Sequence, residues 1–227
     1  MKIVHNTLGI VASVALIVVL MINSVEIGAY SDYGWYEKEY IKYSVLEKLD
    51  MDMDDTIEVT REMMKYLRGD RENLVVDTVV GGTEREFFND REKMHMEDVR
   101  HLFQMGMDTR LVAMAIFVLC CVVLVFTKAD YKKLLPKSFL VGTGIFAVGA
   151  GISAILVASD FNKYFLLFHK LVFTNDLWIL YPETDLLIRM LPEGFFFDMV
   201  IRIGTIFALI LVVLLFISIV MVTKQKK

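Results

Sequence analysis

"FLVGTGIFAVGAGISAILVA", from Phe139 to Ala158, carries no charge and no proline. As a helix with a rise of about 1.5 Å per residue it would cover roughly 30 Å, the thickness of a bilayer's hydrocarbon core. In that medium every backbone N–H and C=O needs an internal partner, so such a run is expected to be helical. Working outward, three more apolar runs appear: Leu8–Ile27, Leu111–Phe126 with Met107 and Thr127 extending it, and Ile203–Val222. Among the four, only the first holds a charge, Glu26, at its end where a carboxylate can reach the headgroups. A chain of 227 residues that is 56% hydrophobic, with a mean hydropathy of +0.54, is too apolar for an ordinary soluble domain. The expected fold class is therefore an α-helical integral membrane protein: four transmembrane helices with a small extracytoplasmic region of helices and a hairpin.

The expected organisation is a single integral membrane domain over residues 1–227. Its spans fall at 8–28, 108–127, 139–158 and 203–222, with outer segments at 29–109 and 159–202 and a basic cytoplasmic loop at 128–138. The first span is read as an uncleaved anchor. Its apolar run exceeds the 7–15 residues usual in a signal peptide, and no small-x-small cleavage site follows. Lys2, Lys128, Lys132, Lys133, Lys137, Lys224, Lys226 and Lys227 face one acid, Asp130, across the short segments. Such positive segments stay in the cytoplasm. This sets a multi-pass protein of the cell membrane with both termini cytoplasmic and both long segments outside. Cys120 and Cys121 are adjacent within a span and read as small packing residues, not as a disulfide.

The first outer segment opens with Tyr30, Tyr33, Trp35, Tyr36, Tyr40 and Tyr43, which suit a membrane–water interface. "MDMDDTIEVTREMMKYLRG" predicts a helix capped by an aspartate near Asp54 and closed by Gly69. "NLVVDTVVGGTEREFFN" predicts strands near 74–80 and 84–88 around a Gly81-Gly82 turn. "NDREKMHMEDVRHLFQMGMDTR" predicts a helix capped by Asn89 or Asp90, with an oily side at Met94, Val99, Leu102, Phe103 and Met105. That side is expected to bend the helix toward the lipid surface or lay it flat there. The second outer segment, "YFLLFHKLVFTNDLWILYPETDLLIRMLP" from Tyr164 to Pro192, is too short to span and too apolar to float free. Pro182 and Pro192 break helices, and Phe195–Phe197 is expected to form an aromatic belt.

No Walker loop, HExxH or GxSxG is present, which removes nucleotide-driven chemistry, zincin-type hydrolysis and serine-elbow hydrolysis. Of the histidines, His5 is at the cytoplasmic end while His95, His101 and His169 are outside. Histidine both takes and gives a proton near neutral pH. His95 and Asp98, three apart, share a helix face, so a base stands beside an orienting carboxylate. His169 is the second candidate, with Tyr164, Asn175 and Asp176 nearby in sequence. A metal site built from His95, Asp98, His101 and His169 is the rival. Positions 95 and 101 lie about 120° apart around a helix, however, whereas metal-binding histidines usually sit four apart. Simple interfacial hydrogen bonding of each imidazole is the third reading, and it would suit a non-enzymatic membrane interaction or sensor protein.

"TEREFFNDREKMHMEDVRHLF", "FLLFHKLVFTNDLWILYPETDLLIRMLPEGFF" and the four-span layout closely resemble the lipoprotein intramolecular transacylase family of low-GC Gram-positive bacteria. The core of the likeness is Arg91 to Val99 and Phe168 to Glu193. What the resemblance implies is an acyltransferase with no cofactor and no metal, acting on a diacylated bacterial lipoprotein among membrane lipid, with no nucleic-acid partner. It moves the sn-2 acyl chain of the diacylglyceryl group to the α-amine of the N-terminal cysteine, leaving the lyso form. The family's two key histidines fall on His95 and His169. Asp98 is the expected orienting group. Tyr164, Asn175, Asp176, Trp178 and Arg189 are the expected supporting or substrate-binding residues, all facing outward. The alternative enzyme class is a metal-dependent membrane hydrolase.

Overall fold

The structure, a computed structural model, describes residues 1–224; Lys226 and Lys227 of the basic tail lie outside the described residues. In chain order the elements are α1 (Lys2–Tyr30), α2 (Tyr33–Lys42), α3 (Val45–Leu49), α4 (Met53–Arg68), β1 (Asp77–Val80), β2 (Thr83–Glu86), α5 (Asp90–Phe126), α6 (Tyr131–Ser159), α7 (Phe161–Val172), α8 (Leu186–Met190) and α9 (Glu193–Lys224). α1, α5, α6 and α9 are long and apolar enough to cross a membrane, as the four apolar runs require. The chain divides into two compact units. One comprises Met1–Ile27, Met107–Ser159 and Arg202–Lys227; the other comprises Gly28–Gly106 and Asp160–Ile201.

The first unit holds the apolar parts of the four long helices. Ile17, Phe139 and Leu211 are buried together, with Phe146 edge-on to Phe207 at 5.3 Å. Side chains such as Leu119, Ile145 and Leu209 are each more than 60% exposed, at 63%, 69% and 63%, a surface that only lipid can cover. Between lipid-bathed helices there is no hydrophobic drive to associate, so close backbone approach through small residues takes its place. α1 and α6 use this device. A Cβ on Gly9 would fall 2.4 Å from Ser138 Oγ, and a Cβ on Gly142 would fall 3.2 Å from Ser13 Cβ. Glu26 ends its apolar run paired with Arg110, which also donates to Asn23 Oδ1 at 3.1 Å. The helical part of α6 starts at Tyr131, inside the segment expected to be a loop.

The second unit has a conventional core. α4 begins at Asp52, whose carboxylate accepts from Asp55 N at 2.8 Å, and ends at Gly69 with φ +92°. The hairpin forms at the expected place, shorter than read: Gly81 and Gly82, with φ +59° and +72°, make the turn, and Val80 pairs with Thr83. Leu74, Val76, Phe87 and Phe88, expected within or beside strands, enter the core. One expectation is corrected. Tyr36 and Tyr40 do not ring an interface; they are 2% and 0% exposed, and Phe195 joins them at 3%. The Tyr40 hydroxyl has a partner in Thr60 at 2.6 Å and Tyr36 donates to Ala29 O at 2.8 Å, which is what allows a phenol inside a core. α5 is one continuous helix from Asp90 to Phe126. Of its oily side, Val99 and Phe103 pack on the core beside buried Met96, while Met94 and Met105 stay exposed.

Overfilling the α1–α6 contact gives a direct check. Gly142→Leu should destabilise by about 1–3 kcal/mol through overpacking, read as a lower unfolding temperature in detergent. Gly144→Leu, with nothing within 4 Å of its Cβ position, should leave that temperature unchanged.

Candidate active site

The start of α5 is fixed by a reciprocal pair of hydrogen bonds. Asn89 Oδ1 accepts from Glu92 N at 3.0 Å, and Glu92 Oε2 accepts from Asn89 N at 2.7 Å. This is a capping box with Asn89 as the cap. Glu92 is fully buried, and its other oxygen accepts from Leu187 N at 2.6 Å. Burial pushes its carboxyl pKa upward, while the amide donors of Leu187 and Asn89 oppose that. Asn89 Nδ2 also donates to Asp185 Oδ1 at 2.8 Å, and Asp185 Oδ2 accepts from Tyr181 N at 2.6 Å. The first turn of α5 is thereby stitched to the segment around α8.

One turn further along α5 is His95, 7% exposed. Its Nδ1 is buried with no hydrogen-bond partner. His169 comes from α7, which starts with the Asp160 carboxylate accepting from Lys163 N at 3.1 Å. The two imidazoles face each other with ring centroids 6.4 Å apart. His169 Nδ1 lies 2.7 Å from Phe165 O. A carbonyl oxygen can only accept, so the imidazole donates from Nδ1, and in the neutral ring Nε2 keeps its lone pair. Aromatic rings surround His169: Phe165 at 4.4 Å, Trp178 at 5.2 Å, Phe168 at 5.4 Å and Phe173 at 5.6 Å. Phe173 also meets His95 edge-on at 5.3 Å, so one buried ring touches both imidazoles.

This dry setting sets the charge state. Burial, then the nearby His169, push the His95 pKa down to about 4, with Asp98 pulling the other way. Burial also lowers the His169 pKa, against the Phe165 hydrogen bond. Both shifts favour the neutral ring.

The other sequence candidates divide. Trp178 joins the site. The Asp98 carboxylate accepts from Asn175 Nδ2 at 2.9 Å and, among the described residues, shares no hydrogen bond with His95; its influence there is through its charge. Asp176 contributes its backbone carbonyl, taken by Arg91, and Arg189 donates to Pro182 O and to Glu183 O. Arg189 lines a shallow recess of about 480 Å³ with Lys48, Pro182, Ile188, Pro192 and Glu193. Tyr164 lies under Lys163 Nζ, with no contact to either imidazole. His101 is exposed. Among the described residues, no three His, Cys, Asp or Glu side chains are grouped to hold a metal. Sequence reading missed Arg91, Glu92, Phe165, Phe168 and Phe173. The aromatic residues flank His169 in a helical pattern, and Asn89-x-x-Glu92 is a legible capping signature.

A model of the family described as lipoprotein intramolecular transacylase Lit matches residues 10–196. The chain belongs to this family. Lipoprotein intramolecular transacylases are acyltransferases, and that is the enzyme class of this chain. Among solved structures, the in meso structure of the membrane-integral lipoprotein intramolecular transacylase Lit from Bacillus cereus superposes with a TM-score of 0.81 at 20% identity, covering 100% of this chain and 99% of the other. Structures of the same transacylase with one histidine replaced by arginine or by alanine give 0.78 and 0.79, each at 21% identity. They cover 99% of this chain and 95% and 96% of theirs. No curated protein sequence matches significantly. The transacylase fold is thus a membrane-integral one, as the apolar runs indicated.

The depressed histidine pKa values have a measurable sign. An unfolded chain binds protons at histidine near pH 6.5, whereas folded His95 resists protonation until about pH 4. The stability held above pH 6.5 should therefore fall progressively as pH drops through 6.5 toward 4. Histidine ring NMR should show His95 titrating well below the ordinary histidine value of about 6.5, and denaturation at pH 7 and pH 5 should show the loss. A His95 midpoint near 6.5 would contradict the buried, neutral ring.

Proposed function

We propose that this transacylase moves the sn-2 acyl chain of a diacylglyceryl lipoprotein to the α-amine of its N-terminal cysteine by acid–base catalysis at His169, with His95 stabilising the oxyanion. The observation that carries this is the facing pair of imidazoles, brought together from two distant stretches of chain. The acceptor α-amine has an ordinary pKa near 8, so a base must take its proton as the N–C bond forms. His169 Nε2, with its lone pair free by virtue of the Phe165 hydrogen bond, is that base. The imidazolium so formed returns the proton to the glycerol oxygen as the C–O bond breaks. His95, with a buried Nδ1 awaiting a partner, holds the carbonyl oxygen while it is anionic. Donor and acceptor share one molecule, so positioning supplies much of the rate. Conversion of ester to amide is downhill, so no cofactor is needed. Leu166, Leu167, Phe168 and Leu171 leave apolar surface on α7 beside His169, suited to acyl chains.

The substrate carries its lipid on the outer side of the cell membrane. The basic 128–138 segment and the basic ends favour cytoplasmic termini, with the histidines facing outward. Diacylated lipoprotein and membrane lipid are the partners.

Mass spectrometry of the N-terminal lipopeptide of one defined lipoprotein, from a host that cannot N-acylate, tests the reading. Expression of this chain should shift one acyl chain to nitrogen with total mass unchanged and the glyceryl group in its lyso form. His169→Ala and His95→Ala should each cut the rate by roughly 10²–10⁴-fold. Full activity in either well-expressed variant would remove that histidine from the reaction.

A further inference from the structure

We infer that Arg91 is a positioning residue for this reaction: its guanidinium clamps the 175–179 turn to α5 and so sets where Trp178 and His169 stand relative to His95. Arg91, His95 and Asp98 follow one another at four and three residues along α5, so they lie on one face. Arg91 Nε donates to Ile179 O at 3.1 Å, and Arg91 Nη2 donates to Asp176 O. One turn beyond His95, Asp98 takes the Asn175 amide at 2.9 Å. Asn175 Oδ1 in turn accepts from Leu177 N at 3.0 Å, closing the turn on itself. The same helix face therefore grips this turn on both sides of His95. Between the grips the turn carries Trp178, whose ring lies tilted 35° against His169 at 5.2 Å. α7 has no buried residue of its own. The position of His169 therefore depends on rings such as Trp178 that rest against it.

A forked guanidinium reaches two carbonyl oxygens at once; an ammonium is a point charge and cannot reproduce that geometry. Arg91 touches neither imidazole and is not a catalytic residue. The inference rests on the reading of His95 and His169 as the working pair.

The chain has two tryptophans, Trp35 and Trp178, so Trp35→Phe leaves Trp178 as the sole indole reporter. Indole emission is quenched by a protonated imidazole in contact, which makes Trp178 emission a gauge of the His169 contact independent of activity. Full-length protein in nanodiscs should be studied with Arg91→Lys and Arg91→Ala in that background, with His169→Ala alongside. In the parent, emission should fall as His169 protonates, and His169→Ala should abolish that dependence. In Arg91→Lys, which keeps the charge, the pH-dependent quenching should be lost or sharply reduced. Its kcat on a diacylated lipopeptide should fall about tenfold or more, with KM changed far less. Parental quenching and kcat in Arg91→Lys would overturn the inference. A proportionate loss of activity and thermal stability with quenching intact would also overturn it, since that is the signature of a purely structural arginine. Retained activity in His169→Ala would instead strike the pairing of the histidines, whatever Arg91 does.

Discussion

Glu92 governs how the outer unit comes together. A carboxylate with no solvent contact is tolerated inside a protein only when donors converge on it, since an uncompensated buried charge is expensive. Here one oxygen closes the first turn of α5 and the other takes an amide from a residue 95 positions away. The helix start and α8 are thereby made interdependent. His95 follows Glu92 by three residues, so the same bonds that cap the helix aim the imidazole. Replacing that carboxylate would leave the amides of Asn89 and Leu187 competing for nothing.

From that anchor the site is built by progressively weaker interactions. Hydrogen bonds from Arg91 and to Asp98 hold the turn, rings hold His169, and one buried phenylalanine touches both imidazoles. Burial among the rings favours the neutral form of both histidines. A neutral pair suits a reaction that takes a proton from nitrogen and delivers it to oxygen. A positive pair would repel the ammonium form of the substrate and offer it no base.

The membrane part of the fold was legible because lipid leaves a chain few options: Phe139–Ala158 could hardly be anything but a spanning helix. The Gly81-Gly82 hairpin and the Gly69 stop were legible because they depend on local backbone conformation. The histidines were legible as a pair only through two long motifs; their 6.4 Å approach is a tertiary fact. What the sequence hid was polar residues acting on backbone groups. Asn175, Asp176 and Arg189 are expected to support the site or touch substrate; the structure shows a side chain bonded to Asp98, a carbonyl taken by Arg91, and a guanidinium held by Pro182 and Glu183. No side-chain pattern announces a carbonyl acceptor. Tyr36 and Tyr40 misled for the related reason that a tyrosine near a span reads as interfacial unless its hydroxyl partner, here Ala29 O or Thr60, is known.

The distant origin of the two imidazoles has a consequence for biosynthesis. During translation, His95 leaves the ribosome long before His169, and the segment from Asn175 to Leu187 that braces both follows later still. Until that segment arrives, α5 lacks the partners of Arg91, Asp98 and Glu92. On the proposed reading of the histidines, products truncated before Asn175 would carry His95 without the segment that braces it, and so could not move an acyl chain.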